Sequence, residues 1–312
     1  MILLENSTFT LCCDNDADKI AYNILHNPHP LSLSQDMQET LQRLLWYVPN
    51  LEKSIQSKKL EIIEDMLFDE FCFKIILNKM EMSIDDIDWI NFDKDSTDKK
   101  KAYIPKNITK YFQDSVCTNC QKIIFQRNVK STLTTNILRH IRNMIAHGNF
   151  AIIYDKTGEE VIMGFDDLSD KKKSAIIKIK PKKLLNALRF LESPQVEEML
   201  VQYSLENCGY KIIKQTNPNT QWDILAEKNG KHFAFEVKKY DNFTRERAQK
   251  TLDFIQKQRS SSNIEVIPVL YYNAMTFNEE NKKLLHEQNI FTLDRSNLKL
   301  FLSGIDVLEN MV

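Results

Sequence analysis

The stretch QWDILAEKNGKHFAFEVK, residues 221–238, decides the fold of the second half of the chain. At its centre, the pair Asn229-Gly230 favours a two-residue hairpin turn, because both residues accept the positive φ that such a turn needs. Apolar and aromatic residues typical of β-strands stand on either side of this turn. The stretch therefore predicts a hairpin of two strands, at 222–228 and 232–239.

Outward from this hairpin, helical and extended patterns alternate along the chain. The periodicity predicts helices at 195–207, 243–259 and 277–288, and further strands at 210–215, 264–271 and 290–294. Upstream, Glu192-Ser-Pro194 interrupts the pattern, as expected of a domain boundary. We therefore expect two domains, at 1–192 and 195–312, of which the second has an α/β fold.

Three charged residues lie on the predicted hairpin, one near the start of its first strand and two near the end of its second. Glu236 and Lys238 are two residues apart and thus point to the same face, with Asp223 on the neighbouring strand. Charges among apolar residues are costly unless they are paired or hold a metal. The two carboxylates and the carbonyl of Val237 can bind Mg²⁺, and Lys238 can position or help deprotonate the attacking water. The alternative is an ordinary ion pair at the edge of a sheet.

The motifs Gln221-Trp-Asp223 and Phe235-Glu-Val-Lys238, with this order of elements, resemble the PD-(D/E)xK superfamily of restriction-endonuclease-like proteins over about 195–300. Glu198, on the first predicted helix, resembles the acidic residue of the Mrr-like members. Trp222 stands where the superfamily has the Pro of its name, a position that varies among members. The resemblance implies a mixed central sheet, catalytic roles for the three charged residues, and a Mg²⁺ or Mn²⁺ ion at their site.

The resemblance also implies which neighbouring residues support that site. Glu198 would be an additional metal ligand beside the two carboxylates and the Val237 carbonyl. Arg245 or Gln249, on the helix after the hairpin, would contact phosphate. Folds of this type also persist as binding modules without activity, so the fold alone does not decide the function.

The first half of the chain is expected to be helical. Between Asp14 and Met80, and again from Thr109, apolar residues recur three and four residues apart. Further elements are predicted as a hairpin of 151–154 with 160–163 and a helix at 181–191. This pattern predicts an all-α bundle with an appended β-hairpin.

One helix, from about Ser131 to His147, separates its apolar residues from its polar ones. Its apolar face must point to the core and carries Leu133, Ile137, Ile141 and Met144. The opposite face carries Arg139, Arg142, Asn143 and His147. Small Ala146 lies among these polar residues, so a second backbone could approach them there.

An arginine, an amide and a histidine on one face can cleave RNA without a metal. The ribose 2′-OH can attack its own 3′-phosphate, giving a 2′,3′-cyclic phosphate and a 5′-hydroxyl. His147 can move the protons and Arg142 can stabilise the charge on the phosphorane, while Asn143 holds the imidazole or the phosphate in register. The alternative is structural, because the helix dipole favours a histidine at a helix end.

The run Ile141-Arg-Asn-Met-Ile-Ala-His-Gly148 resembles the Arg-polar-x-x-x-His signature of HEPN-superfamily ribonucleases, over about residues 14–190. That signature lies on a late helix of an α-helical domain and needs no cofactor. The resemblance implies a homodimer in which two motif helices form one composite site. It also implies that basic residues near the motif grip RNA, namely Arg139, Lys171, Lys172 and Lys173.

Composition excludes several other functions. The six glycines are too dispersed to form a phosphate-binding loop or a dinucleotide fingerprint, which excludes P-loop ATPases and Rossmann folds. The net charge of −1 means that overall basicity does not indicate nucleic-acid binding, although Lys and Arg concentrate in 91–150 and 168–190.

The sequence also gives an expectation for location. No apolar run is long enough to span a membrane and the chain begins without a secretory signal pattern, so a cytoplasmic location is expected. The six cysteines are expected to be reduced thiols.

Together these patterns predict a nuclease, acting as an effector of prokaryotic defence against phage or foreign nucleic acid. This biological role rests on resemblance alone. RNA is the expected substrate, DNA is an alternative at the second site, and a companion defence or antitoxin protein is a candidate partner. Two other functions stay open: a Mg²⁺-dependent DNA endonuclease whose helical domain only dimerises or senses RNA, and a non-catalytic nucleic-acid-binding or antitoxin-like protein.

Overall fold

The computed structural model describes ten parts of the chain: residues 19–20, 33–47, 61–92, 116–117, 119–167, 173–215, 222–239, 243–262, 264–273 and 278–309. Contacts divide the chain into two compact units, Met1–Glu192 and Ser193–Val312. Each unit has its own helices and its own five-stranded sheet. Within the described parts, no helix is both long enough and apolar enough to cross a membrane.

The described part of the first unit has five α-helices and one 3-10 helix, and side chains fix the start of the helix that carries the polar motif. The α-helices are α1 (Gln35–Tyr47), α2 (Glu61–Glu64), α3 (Asp69–Met80), α4 (Leu133–Ala146) and α5 (Pro181–Glu192), with a 3-10 helix at Ile84–Asp86. At the start of α4, the hydroxyl of Thr132 accepts the N–H of Thr135 at 3.0 Å. The carboxylate of Asp69 accepts the N–H groups of Leu133 and Thr134 at 2.6 and 3.0 Å. These acceptors satisfy the first N–H groups of α4 and fix where it begins.

The first unit also contains a five-stranded mixed sheet. Its strands are, in order across the sheet, β2 (Ile87–Phe92), β4 (Lys122–Asn128), β7 (Lys173–Ile179), β6 (Glu160–Asp167) and β5 (Phe150–Tyr154). The pair β2–β4 is parallel, and the other three pairs are antiparallel. Two short strands, β1 (Lys19–Ile20) and β3 (Val116–Cys117), pair with each other.

This sheet corrects the expectation of an all-α bundle with only a hairpin. The predicted hairpin is present as β5 and β6, but it belongs to the larger sheet. Strands β4 and β7 were not predicted, and their centres, 123–125 and 175–177, are buried at every residue. A short run that is buried on both faces lacks the alternation that distinguishes a strand from part of a buried helix.

Helix α4 packs against the sheet at Gly164 of β6. A Cβ atom on Gly164 would lie 2.3 Å from the carbonyl oxygen of Asn149, 2.8 Å from Cα of Phe150 and 2.8 Å from Sδ of Met144 in α4. Two of these three atoms belong to the backbone and cannot rotate away. We therefore expect Gly164→Ala to lower the free energy of unfolding by about 3 kcal/mol, measured by chemical denaturation.

Gly158→Ala, in the turn of the same hairpin, is the matched control for that substitution. No described atom lies within 4 Å of the Cβ position of Gly158, but its φ of +83° is unfavourable for alanine. This backbone conformation costs about 1 kcal/mol. Equal losses of stability at the two glycines would contradict the steric argument for Gly164.

The second unit is an α/β fold with a mixed sheet, as the sequence predicted. Its helices are α6 (Gln195–Asn207), α7 (Arg245–Ser260), α8 (Glu279–His286) and α9 (Arg295–Leu302). Its strands are β8 (Lys211–Ile212), β9 (Ile224–Lys228), β10 (Lys231–Lys239), β11 (Ile267–Asn273) and β12 (Phe291–Leu293). The order across the sheet is β12-β11-β10-β9-β8, with β10, β11 and β12 parallel and the remaining pairs antiparallel.

The hairpin predicted from Asn229-Gly230 is confirmed in this sheet. Strands β9 and β10 pair antiparallel, and the two turn residues have φ values of 53° and 74°. One apolar cluster joins the hairpin to α7 and includes Leu225, Ala234 and Leu252. The hairpin is thus held on a packed core, and its open end, away from the turn, can carry side chains at fixed positions.

Candidate functional site

The charged residues of the hairpin meet at its open end. Ile224, the first residue of β9, pairs with Phe235 of β10, so that Asp223 comes next to Glu236. Oδ2 of Asp223 accepts the N–H of Val237 at 2.7 Å. The strand pairing therefore brings the two carboxylates to the same place.

Glu236 is the buried member of this pair of carboxylates. It is 3% exposed, whereas Asp223 is exposed to solvent. Lys238 donates a hydrogen bond to Oε1 of Glu236. Oε2 of Glu236 is also buried, and it has no hydrogen-bond partner among the described residues. A buried carboxylate oxygen without a partner costs free energy unless a bound group supplies one.

Burial and nearby negative charges raise the proton affinity of these carboxylates. Burial raises the pKa of Glu236 to about 7, and the charges of Asp223 and Glu198 act in the same direction, against Lys238. Burial and the charge of Asp223 also raise the pKa of Glu198, with Lys238 again opposing. The three acids and the lysine therefore share one electrostatic environment, and raised carboxylate pKa values are frequent at functional sites.

The raised pKa of Glu236 predicts a stability that falls with pH. The ordinary pKa of this group is 4.5 and its pKa in the folded chain is about 7, so between these values the folded chain keeps a proton that the unfolded chain has released. In EDTA, we expect the free energy of unfolding to fall by about 3 kcal/mol as the pH rises through this window. Chemical denaturation at a series of pH values measures the change.

Glu236→Gln isolates this contribution, because an amide does not titrate. The variant should gain stability relative to the native chain as the pH rises from 4.5 to about 7, and the difference should then level off. Titrating groups that do not interact with Glu236 contribute equally to both proteins and cancel. A difference in unfolding free energy that stays constant across this window would contradict the assigned pKa.

Glu197, beside Glu198 on α6, is fully buried and anchors that helix. Its carboxylate accepts hydrogen bonds from the hydroxyl of Tyr271 at 2.8 Å, the amide of Asn273 at 2.7 Å and the guanidinium of Arg295 at 2.8 Å. These bonds hold α6 against β11 and α9. They therefore fix the position of the neighbouring residue, Glu198. Sequence analysis missed this role, because two adjacent acids give no local signal for which one is buried.

The donor set at the hairpin fits a cation that takes few protein ligands. Among the described residues, no three His, Cys, Asp or Glu side chains form a group that could hold a metal ion, so Glu198 does not complete such a group with the other two acids. Mg²⁺ is usually bound through one or two carboxylates and keeps several waters, whereas Zn²⁺ takes three or four protein ligands. Oε2 of Glu236, the carboxylate of Asp223 and the carbonyl of Val237 match the first kind of site.

The arginine–histidine motif lies at the C-terminal end of α4. His147 is the C-cap residue and is exposed, as is Ala146, while Arg142 and Asn143 are partly buried. Nη1 of Arg142 donates to Oδ1 of Asn143 at 3.0 Å, and Nε of Arg142 is buried without a described partner. The imidazole is thus accessible to a substrate, and the guanidinium is held by its neighbour.

A buried pair, His140 and Asp166, lies behind this motif. Nδ1 of His140 is 2.7 Å from Oδ2 of Asp166, and Nε2 is 2.8 Å from the carbonyl oxygen of Gln126. A carbonyl oxygen only accepts, so Nε2 must carry a proton. The same Asp166 oxygen accepts the amide of Asn143 at 3.3 Å, which orients Asn143 and, through it, Arg142. Sequence analysis missed Asp166, because its role depends on the packing of β6 against α4.

The residues predicted to grip RNA differ in how accessible they are. Lys171 and Lys172 lie outside the described residues. Arg139 is partly buried. Burial lowers its pKa, and the negative charge of Asp166 acts in the opposite direction. Lys173 lies at the start of β7 with its Nζ above an aromatic ring, and Lys178 of the same strand is fully buried. A basic surface therefore does not follow from the count of lysines in 168–190.

Two residues of α7 were predicted to contact phosphate, and both are exposed. Arg245 is the first residue of the helix, and Gln249 donates to Asp253 at 2.9 Å. Sequence analysis did not single out Phe254, whose ring centre lies 5.9 Å from Nζ of Lys238. Of these three α7 residues, Phe254 is the one whose ring lies beside Lys238 of the hairpin site.

Comparisons with known proteins do not assign the chain to a family. No protein-family model matches it, and no curated protein matches it. Among solved structures, it is similar to AF1548, a protein of unknown function, with 19% identity and a TM-score of 0.28 over 33% of this chain and 59% of that one. It is also similar to a repair endonuclease from Pyrococcus abyssi, with 12% identity and a TM-score of 0.26 over 46% of this chain and 64% of that one. The chain thus spans less than two thirds of the length of either, and with TM-scores below 0.5 neither likeness supports an argument about function.

Proposed function

We propose that this chain is a nuclease with a Mg²⁺-dependent site for phosphodiester hydrolysis on the hairpin of its second unit. The observation that carries the proposal is the buried Oε2 of Glu236, which has no described partner and lies in a site shared with Asp223 and Lys238. A buried anion of this kind is unfavourable unless a positive group completes its environment. A divalent cation is such a group, and Mn²⁺ suits the same oxygen donors.

Each residue of the site has a role that its contacts support. Glu236, Asp223 and the Val237 carbonyl would hold the ion. When bound, the ion polarises the scissile phosphate and lowers the pKa of a coordinated water. Lys238 donates to Glu236 and carries a positive charge beside the carboxylates, where it can orient the attacking water. Glu198 adds negative charge to the site, which favours binding of a cation.

This chemistry leaves the choice of nucleic acid open. Attack by water does not use the ribose 2′-hydroxyl, so the hairpin site can act on DNA and on RNA. The geometry supports the reaction class, hydrolysis of a phosphodiester.

Cleavage assays with different metals test the proposal. The full chain is incubated with labelled single-stranded and duplex DNA and RNA, in Mg²⁺, Mn²⁺ or EDTA. We expect cleavage of DNA with either metal and none in EDTA. Calorimetric titration with Mn²⁺ gives a second readout that does not depend on turnover. Intact DNA under every metal condition, together with no binding of Mn²⁺, would refute the hairpin site.

A second candidate function is RNA cleavage without a metal, at the end of α4. The exposure of His147, with Arg142 held by Asn143, favours this proposal. His147 would take the proton of the 2′-hydroxyl or give one to the leaving oxygen, and Arg142 would stabilise the phosphorane. Cleavage of RNA but not DNA in EDTA, with 2′,3′-cyclic phosphate ends, distinguishes this activity from that of the hairpin.

We also propose that the chain works as a homodimer in prokaryotic defence, with a companion or antitoxin protein as a candidate partner. Exposed Ala146 leaves room for a second α4 helix beside the motif. Sedimentation of the purified chain tests the dimer.

The two alternative functions make different predictions for the cleavage assays. A DNA endonuclease whose first unit only dimerises or senses RNA cleaves nothing in EDTA, and a binding protein cleaves nothing with or without metal.

A further inference from the structure

An exposed aromatic residue stands beside the hairpin site. Phe254 of α7 is 37% exposed, and Nζ of Lys238 lies 5.9 Å from the centre of its ring. The buried face of α7 is formed by other residues, Ala248, Thr251, Leu252 and Ile255. Phe254 therefore lies outside the buried face of α7, and part of its ring presents an apolar surface to solvent next to a residue of the candidate site.

Basic residues flank Phe254 along the same side of α7. Arg247 and Lys250 precede it by seven and four residues, and Lys257 follows it by three, spacings that place side chains on one helix face. All three are exposed. Lys250 pairs with Glu246 at 2.7 Å, but both side chains are more than 70% exposed, so this ion pair is weak and can exchange for a phosphate. The face around Phe254 thus has a net positive charge.

An aromatic ring between basic side chains matches one class of ligand. A nucleobase stacks on the ring, and the phosphates before and after that base contact the flanking basic residues. In a duplex, the bases are stacked on one another and are not available to a ring on a helix surface. Only an unpaired base can make this contact.

We propose that Phe254 stacks on an unpaired base of a single-stranded nucleic acid and thereby places the adjacent phosphodiester next to Lys238. This inference rests on the proposed function of the hairpin site and adds a substrate class to it, single strands in preference to duplexes. The two neighbours of Lys238, Phe254 and Glu236, then have different roles. Phe254 positions the strand, and Glu236 belongs to the group that cleaves it.

Fluorescence anisotropy in EDTA measures this binding without cleavage. The probes are a labelled single-stranded DNA, the RNA of the same sequence, and the DNA duplex. We expect Phe254→Ala to raise the Kd for the single strands about tenfold and to leave the Kd for the duplex unchanged. Phe254→Tyr keeps an aromatic face and should bind as the native chain does, whereas Phe254→Leu is apolar without that face and should behave as Phe254→Ala.

Two controls separate stacking and phosphate contacts from general effects. Leu300→Ala removes an apolar side chain that has the same exposed fraction, 37%, on α9, and it should leave binding unchanged. Lys257→Gln and Arg259→Gln remove two exposed charges near the end of α7, of which only Lys257 has the helical spacing that places it beside Phe254. Only Lys257→Gln should reduce the slope of log Kd against log salt, by about one.

Three results would overturn the inference: no binding of single strands by the native chain, an unchanged Kd in Phe254→Ala, or an equal loss of affinity for single strands and duplex. Failure of the proposed function has a different signature. It shows as intact DNA together with no binding of Mn²⁺, or as Mg²⁺-dependent cleavage that survives Glu236→Gln. Binding in EDTA does not depend on cleavage and tests Phe254 by itself.

Discussion

Glu236→Gln is expected to lower Mg²⁺-dependent cleavage about a thousandfold. The amide has nearly the shape of the carboxylate, but it lacks the charge that attracts a cation. Lys238, which donates to Glu236, also loses its anionic partner. Rates of DNA cleavage by equal amounts of the two proteins at saturating Mg²⁺ measure the effect.

The same substitution should not destabilise the chain. Above about pH 7, the native Glu236 is a buried anion with one oxygen that has no described partner, and glutamine removes that buried charge. Loss of cleavage through misfolding would instead be accompanied by a lower free energy of unfolding. A loss of cleavage with a gain in stability is the behaviour of a residue that is kept for function at the expense of the fold.

Glu227→Gln is the matched control for Glu236→Gln. Glu227 is a partly buried carboxylate on β9 of the same hairpin, where it pairs with His232 near the turn. Removing its charge should leave cleavage unchanged, because it lies at the opposite end of the hairpin from Asp223. The role assigned to Glu236 would be wrong if Glu236→Gln cleaved DNA at the native rate, or if both variants lost activity to the same extent.

The fold around the hairpin site could be predicted because its signals are local. Asn229-Gly230 supplies the positive φ values of a two-residue turn, and the turn then sets the register of β9 and β10. That register alone brings Asp223 next to Glu236. The burial of the two carboxylates could not be predicted in this way. Other elements of the fold cover Glu236, which is 3% exposed, and leave Asp223 exposed. The periodicity of the sequence gives no information about that packing.

The features that sequence analysis missed are all products of long-range contacts. Strand β4 pairs with β2 and β7, which are far from it in the chain and joined to it by no short turn. Asp166 reaches His140 and Asn143 only because β6 packs against α4. Phe254 is one of 17 phenylalanines, and only the contact with Lys238 distinguishes it. A motif therefore predicted which residue types could do chemistry, and the tertiary packing determined their surroundings.

His147→Ala is expected to lower RNA cleavage in EDTA about a hundredfold or more, since general acid–base catalysis by one side chain contributes on that order. His147 is exposed at the end of α4, so its removal disturbs little packing. DNA lacks the 2′-hydroxyl and should stay intact in EDTA with either protein. Initial rates on a labelled RNA, with the cyclic phosphate ends identified, measure the effect.

His286→Ala is the matched control for the histidine. His286 is also exposed at the C-terminal end of a helix, α8, but no Arg-Asn pair precedes it. Both histidines lie at the C-terminal end of a helix, but His286 also packs edge-on against Phe291, with the ring centres 6.1 Å apart. His286→Ala should therefore lower thermal stability at least as much as His147→Ala does, and only His147→Ala should affect RNA cleavage. Cleavage at the native rate in His147→Ala would refute the metal-free mechanism altogether. His140, the other histidine of α4, is buried and bonded through both ring nitrogens, so it cannot take over the proton transfer.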